Sequence, residues 1–240
     1  MTKKKRSTKP VAVSNQTAPE SPKAIATRRA VLDKAAELFI EQGVSGANLQ
    51  NIAEAAGLTR TALYYYFRSK EEVLEAIVDE CADIGARKIA TTASDQECPV
   101  DQLKASIEAF VVWINSNRAR FMVVERNEAR LTGDLAKRHA EGKQAIFRTF
   151  QSIIKRGIAD GVFRRVDPAI TSFSLIGMCT WSAWWVNPDG PFSPSKVATE
   201  IAELAVATVL SSPKDFKSDL ALSESVALIE QGLAKLKNNA

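Results

Sequence analysis

Residues 48–70 read NLQNIAEAAGLTRTALYYYFRSK. Leu49, Ile52, Ala53 and Ala56 fall at i, i+3, i+4 and i+7, the spacing of one buried helix face. Asn48 precedes them as a cap, since its side-chain oxygen accepts from a free N–H of the first turn. Gly57 ends the helix where the backbone needs positive φ. Leu58 plugs the turn and Thr59 caps a second helix running from about 60 to 67. On that helix Leu63 and Phe67 are four apart and face the core, which leaves Arg60, Thr61, Tyr64 and Tyr65 on the outer side. Alanines 53, 55 and 56 let the two helices approach closely. Ser69-Lys70-Glu71-Glu72 is a capping box that opens a third helix. Two short helices joined by a tight turn, with a guanidinium, hydroxyls and phenols on the outer face, form a helix-turn-helix shaped for a DNA groove.

Each outer residue has a chemistry suited to DNA. The Arg60 guanidinium matches guanine N7 and O6 bidentately, or else a phosphate. Thr61 suits a thymine methyl. Tyr64 and Tyr65 suit phosphates through their hydroxyls and sugars through their rings, whereas Tyr66 reads as domain core. Thr59 suits a phosphate, and so does Lys70, which stands at a helix N-terminus. The charge distribution agrees. Residues 1–70 hold 12 Lys/Arg against 5 Asp/Glu, and residues 71–240 hold 20 against 23. Positive charge is therefore concentrated around the helix-turn-helix, as a nucleic-acid footprint requires.

Residues 27–75 resemble the DNA-binding domain of the TetR family of bacterial transcriptional regulators. The match is carried by RRAVLDKAAELFIEQG followed by IAEAAGLTRTALYYYFRSKEEVL, where an Ala-Gly turn, a Leu-Tyr pair, an aromatic-rich helix end and a Lys-Glu pair recur in register. One departure is Ala47-Asn48, where the family usually has threonine or serine; asparagine caps as well. The resemblance implies an all-α protein: an N-terminal three-helix helix-turn-helix domain, then a C-terminal helical domain that binds ligand and dimerises.

The remaining sequence is divided on that basis. Residues 1–23 are polar, with three prolines and a basic cluster of Lys3, Lys4, Lys5, Arg6 and Lys9, and read as a disordered tail. It is either an arm that tracks phosphates or a solvated leader. Residues 24–70 form the DNA-binding unit, whose first helix buries Leu32, Ala35, Ala36 and Phe39 and ends near Gly43. Arg28 and Arg29 on that helix are phosphate contacts or ordinary surface. Residues 71–212 read as all helix. Leu103, Ile107, Phe110 and Ile114 make one stripe, and Ile146, Phe150 and Ile153 another on a long helix over about 134–160. Further helices are expected over about 168–186 and 194–210. Residues 213–240 carry Leu222, Val226, Ile229, Leu233 and Leu236 at helical spacing, which predicts a final amphipathic helix.

By resemblance, helices 168–186 and 194–210 pair with a second subunit. Ser174, Gly177, Cys179 and Ser182 are small enough for close approach there, and Phe173, Ile176, Trp181 and Trp184 supply buried area, unless these aromatics are intramolecular core. A two-fold dimer also suits DNA, since it reads two half-sites about 34–36 Å apart on a pseudo-palindrome. Phe110, Trp113, Phe121, Phe150, Met178 and Trp181 are either core or the walls of a ligand pocket. Arg126 and Arg130, one turn apart, either pair with an anionic ligand or form a salt-bridged surface with Glu125, Glu128 and Asp134. Residues 173–204 resemble the C-terminal part of TetR regulators of fatty-acid and steroid degradation, several of which respond to acyl-CoA thioesters.

Other classes fit poorly. No stretch of 18 apolar residues suggests a membrane span, and the basic N-terminus lacks the apolar region of a secretory signal. Cysteines 81, 98 and 179 have no metal-ligand spacing, which suits a reducing cytoplasm. An enzyme is disfavoured. His139 is the only histidine and reads as exposed in the polar run AKRHAEGK, and no glycine-rich phosphate loop appears. The expectation is a cytoplasmic, homodimeric repressor without cofactor, bound to double-stranded operator DNA and released by a small hydrophobic or acyl-CoA ligand. The alternatives are an aromatic or drug-like inducer, or a DNA-binding regulator with no small-molecule ligand.

Overall fold

A computed structural model describes residues 21–187 and 189–211. The basic tail and the amphipathic helix expected over 213–240 lie outside the described residues. Within them the chain is built of helices: α1 (Pro22–Gly46), α2 (Leu49–Ala55), α3 (Arg60–Tyr66), α4 (Lys70–Ser94), α5 (Pro99–Ser116), α6 (Arg118–Asn127), α7 (Gly133–Ala159), α8 (Pro168–Trp185) and α9 (Pro194–Val209). A single 3-10 turn, Glu128–Arg130, links α6 to α7. No strand occurs among the described residues; one isolated bridge, Phe163 to Leu210, ties the α7–α8 loop to the end of α9.

The local rules read from sequence set most helix ends. The Ser21 side chain accepts from the Ala24 N–H, so α1 starts at Pro22. Gly43 takes φ 73° and interrupts the helix where a stop was expected. Asn48 accepts from the Asn51 N–H at 2.9 Å, and Thr59 from the Ala62 N–H at 3.2 Å. Gly57 takes φ 67°. Around it the Leu58 N–H reaches the Ala53 carbonyl and the Gly57 N–H the Glu54 carbonyl, a Schellman pair that satisfies the end of α2. Asp167 caps α8 and Ser193 caps α9, each with proline at the first helical position.

α1, α2 and α3 enclose a small core of Leu32, Ala35, Ala36, Phe39, Ile52, Ala53, Leu63 and Phe67. α4 leaves this unit and continues as 25 unbroken residues. It packs on α1 at one end and on α5, α6 and α7 along its length, so the expected boundary at residue 70 falls at the start of a shared helix. α5 is central to the larger unit: Leu103, Ile107, Phe110, Val111 and Ile114 are buried between α4, α7, α8 and α9. The α7–α8 turn shows how tightly this unit closes. A Cβ at Gly157 would lie 2.0 Å from the Phe163 ring, so glycine is required for that ring to seat.

Candidate functional site

The helix-turn-helix presents its outer face as the amphipathic pattern requires. Leu63 is fully buried and Phe67 nearly so, whereas Thr59, Arg60, Thr61, Tyr64 and Tyr65 are exposed. Tyr65 stands out furthest at 82% exposure, edge-on to Tyr66, which packs against the core as expected. The Arg60 guanidinium donates to the Tyr64 hydroxyl at 3.0 Å and lies over its ring at 5.4 Å. This contact holds a long side chain extended from the start of α3 and leaves its other N–H groups free to donate. Arg60 and Tyr64 share a groove with Asn48, Gln50 and Lys70.

Lys70 has a second task. Its ammonium donates to the Ser45 carbonyl at 3.0 Å and the Ala47 carbonyl at 3.1 Å. It thereby clamps the start of α4 to the α1–α2 joint and keeps one of its three donors for another acceptor. The capping box is present in modified form: Ser69 accepts from the Glu72 N–H, while the Glu72 carboxylate accepts from the Arg68 N–H. The α4 N-terminus is thus fixed to the DNA-facing unit by side chains that the sequence places there.

The arginines divide in a way that spacing does not reveal. Arg28, read as a phosphate contact or surface, turns inward, pairing with Glu80 and lying over the Phe67 ring at 5.3 Å. Arg29 is exposed. Arg120, only 4% exposed, donates from Nε to Asp33 Oδ1 at 2.7 Å, from Nη1 to Glu80 Oε2 at 2.8 Å and from Nη2 to the Arg29 carbonyl at 2.8 Å. One guanidinium on α6 therefore joins α1 and α4. Arg118 donates to the Ala183 carbonyl at 2.7 Å, which ties α6 to α8.

A second site lies in the larger unit. A cavity of about 470 Å³, open to solvent on one side, is lined by residues of α4, α5, α6, α7 and α8. Its apolar wall includes Phe110, Trp113, Phe121, Ile146, Phe147 and Ile176, and Gly85 of α4 backs onto the Trp113 ring. Three of the expected ligand residues, Phe110, Trp113 and Phe121, are thus brought together. The other five are not. Phe150 is fully buried behind Phe110, with ring centroids 6.3 Å apart. Met178 is half-buried against the core outside the cavity lining. Trp181 is 64% exposed. Arg126 lies over the Trp184 ring at 5.6 Å and Arg130 is exposed on the 3-10 turn, so neither meets the cavity.

His139 corrects the sequence reading most sharply. It was expected to be exposed in a polar run, yet it is only 6% exposed and lines the cavity. α7 is amphipathic, and position 139 falls four residues before Lys143 on the side turned to α6. Glu128 receives both Lys143 contacts, at 2.7 and 2.8 Å, and stands 3.8 Å from the His139 Nε2. Burial holds the His139 pKa below its ordinary value, although Glu128 opposes this. Burial raises the Glu125 carboxyl beside it. Cys81 also lines the cavity, and burial pushes its thiol up to about 12, which keeps it a protonated wall residue.

The outer surface of α8 is apolar. Ile170, Trp181, Trp184 and Trp185 stand exposed there, while Phe173, also exposed, borders the cavity with its ring 4.6 Å from that of Phe147. Of the small residues expected on this face, Ser174 is exposed and Gly177 borders the cavity. Cys179 and Ser182 turn inward instead, and Ser182 accepts from Asn115 of α5 at 2.9 Å. Leu204 extends the apolar surface on α9. No described helix is long and apolar enough to cross a membrane, and no described group of His, Cys, Asp and Glu is placed to hold a metal.

Comparison with known proteins bears on both units. Residues 31–77 match the family described as bacterial regulatory proteins, tetR family, and residues 96–209 match the tetracyclin repressor-like C-terminal domain. The HTH-type transcriptional repressor KstR2 of Mycolicibacterium smegmatis is 26% identical over 206 residues, covering 82% of this chain and 98% of its own. The TetR family regulator PfmR from Thermus thermophilus is 27% identical with a TM-score of 0.65, covering 74% of this chain and 97% of its own. AibR, solved in complex with isovaleryl coenzyme A and operator DNA, is 26% identical with a TM-score of 0.64 over the same shares. These relatives are regulators of transcription, not enzymes. With the helix-turn-helix and the helical C-terminal unit both matched in order, the chain belongs to the TetR family of transcriptional regulators.

Proposed function

We propose that the protein is a cytoplasmic, homodimeric repressor that binds a pseudo-palindromic operator and leaves it when a small molecule fills the α4–α8 cavity. The observation that carries this reading is the continuity of α4. Its first residue clamps the helix-turn-helix, and Cys81, in its middle, lines the cavity. Next to Cys81, Glu80 holds Arg28 and Arg120. A ligand that displaces α4 or α6 acts on the same ion-pair junction that seats α1. By linkage it weakens DNA binding only as far as it prefers the displaced state.

On DNA, Arg60 and Thr61 read base edges, while Thr59, Tyr64, Tyr65 and the remaining Lys70 donor hold the backbone. Dimerisation is assigned to the apolar α8–α9 face, because four large exposed side chains on one helix are costly to leave in water. The ligand class is an acyl-CoA thioester with its acyl part in the cavity. The similarity to AibR, solved with isovaleryl coenzyme A, supports this choice over a drug-like inducer.

The test is fluorescence anisotropy on duplexes from the DNA upstream of the protein's own gene, against scrambled competitor. One duplex should bind specifically, with an affinity that falls steeply with salt. Arg60→Ala should lose about 1–3 kcal/mol on that duplex and little on the competitor. Equal binding to all duplexes by both proteins contradicts the proposal.

A further inference from the structure

Every buried polar group in a cavity wall must meet a partner, and an unmet one points to what the cavity receives. Among the described residues, neither ring nitrogen of His139 meets a hydrogen-bond partner. The ring is nine-tenths buried, and the nearest carboxylate oxygen, on Glu128, lies 3.8 Å away, beyond hydrogen-bond range. Around it the cavity changes character. The walls on α5 and α8 are aromatic and aliphatic, while His139, Glu125, Glu128, Lys143 and Gln144 form one polar end.

The charges at that end restrict what it can accept. Lys143 is the one cationic side chain in the described lining besides the histidine, and both oxygens of Glu128 already engage it. A ligand carboxylate placed there meets no unpaired cation and faces Glu125 and Glu128. A neutral imidazole offers one donor and one acceptor. A hydroxyl meets either one and a ketone oxygen accepts from the donor, whereas a carboxylate accepts there only against the charge of Glu125 and Glu128.

We propose that the cavity takes a ligand with an apolar body and an uncharged ketone or hydroxyl oxygen, which hydrogen-bonds to the His139 ring. This rests on the reading of the cavity as the effector site and adds the chemistry of the effector's buried end. A thioester ligand thus carries its oxygen on the acyl portion, remote from coenzyme A. His139 is the specificity residue, discriminating an oxygenated acyl group from a plain hydrocarbon one.

The chain has one histidine, so isotope labelling of histidine reports this ring alone. Full-length protein is titrated with four single-ring probes, cumene, acetophenone, benzoate and 1-phenylethylamine. Binding is followed by the His139 nitrogen resonances and the Trp113 indole resonance. Acetophenone should bind about three- to tenfold more tightly than cumene, the worth of one buried hydrogen bond, and should move the imidazole N–H downfield. Benzoate should bind more weakly than cumene, because its carboxylate faces Glu125 and Glu128, and 1-phenylethylamine, which tests the competing cationic chemistry, should bind more weakly than acetophenone. His139→Leu should abolish the preference for acetophenone while cumene still shifts Trp113, and His139→Gln should restore part of it. Equal affinities for cumene and acetophenone, a preference that survives His139→Leu, or tightest binding by either charged probe overturns the proposal. No response of either resonance to any probe instead removes the cavity reading on which it rests.

Discussion

Replacing Arg120 with methionine keeps most of the side-chain volume and removes three charge-assisted hydrogen bonds, to Asp33, Glu80 and the Arg29 carbonyl. The losses are unequal. The Asp33 side chain is 49% exposed and regains water, so its bond counts as a surface pair of about 1 kcal/mol or less. Glu80 is 25% exposed but keeps Arg28, and its loss is on the order of 1–2 kcal/mol. The Arg29 carbonyl forfeits about 1 kcal/mol. The total is about 3 kcal/mol, at the lower end of the cost of breaking a buried ion pair. Urea unfolding should show this as a lower midpoint with an unchanged slope, and the thermal midpoint should fall by roughly 6–12 °C for a chain of this size. The variant should still bind operator, since Arg60 and Tyr64 are untouched, but effector should no longer release it fully. A variant within about 0.5 kcal/mol of wild type, the scale of an ordinary surface substitution, that also releases DNA normally refutes the assignment of Arg120 as the link between the two units.

Other predictions address packing, assembly and protonation. Gly157→Ala forces a methyl to within 2.0 Å of the Phe163 ring and should cost about 1–3 kcal/mol in chemical denaturation, relieved by the added substitution Phe163→Ala only at the expense of a cavity. Trp181→Glu places a charge on the exposed α8 stripe; light scattering should show a monomer that keeps its helical circular dichroism and loses tight operator binding. His139 has its pKa lowered by burial, so its contribution to stability is complete above about pH 6.5, the unfolded value. That contribution is lost as the pH falls from there through the lowered native pKa, because the unfolded chain takes up the proton first. His139→Leu should flatten this part of the pH–stability curve, and a difference between the two proteins that is constant from pH 7 to pH 5 contradicts the burial argument.

Much of the helix-turn-helix was legible because its rules are local. Asn48, Gly57, Thr59 and Ser69 each act within a few residues, and the structure places each cap where the spacing required it. The alternation of Leu63 and Phe67 with Arg60, Tyr64 and Tyr65 likewise needs only the helical period. The cavity was less legible, since periodicity states which side of a helix is apolar and not what stands opposite. Phe110 and Phe150 both lie on such stripes, yet only Phe110 lines the cavity, with Phe150 packed behind it. Arg120 and Arg126 looked alike in a basic cluster. One is the buried junction of three helices and the other is spread over an exposed indole. His139 misled because its neighbours in sequence are polar and solvated, while in space it is buried at the polar end of the cavity, near Glu128. The signal for it lay in the helix period: Ile146, Phe150 and Ile153 continue the face on which His139 lies, seven residues before Ile146.

The proposed regulation couples a ligand in the cavity to a DNA-binding face at the far end of α4. The most direct test is operator binding titrated with isovaleryl-CoA, longer acyl-CoA and oxo- and hydroxyacyl-CoA thioesters, for wild type and for Ile146→Trp, whose added ring fills the cavity. A thioester should weaken operator affinity of the wild type by about 5- to 150-fold, the range of a coupling free energy of 1–3 kcal/mol, and leave Ile146→Trp on the DNA. Operator affinity of the wild type that no thioester changes, or equal release of both proteins, contradicts the account.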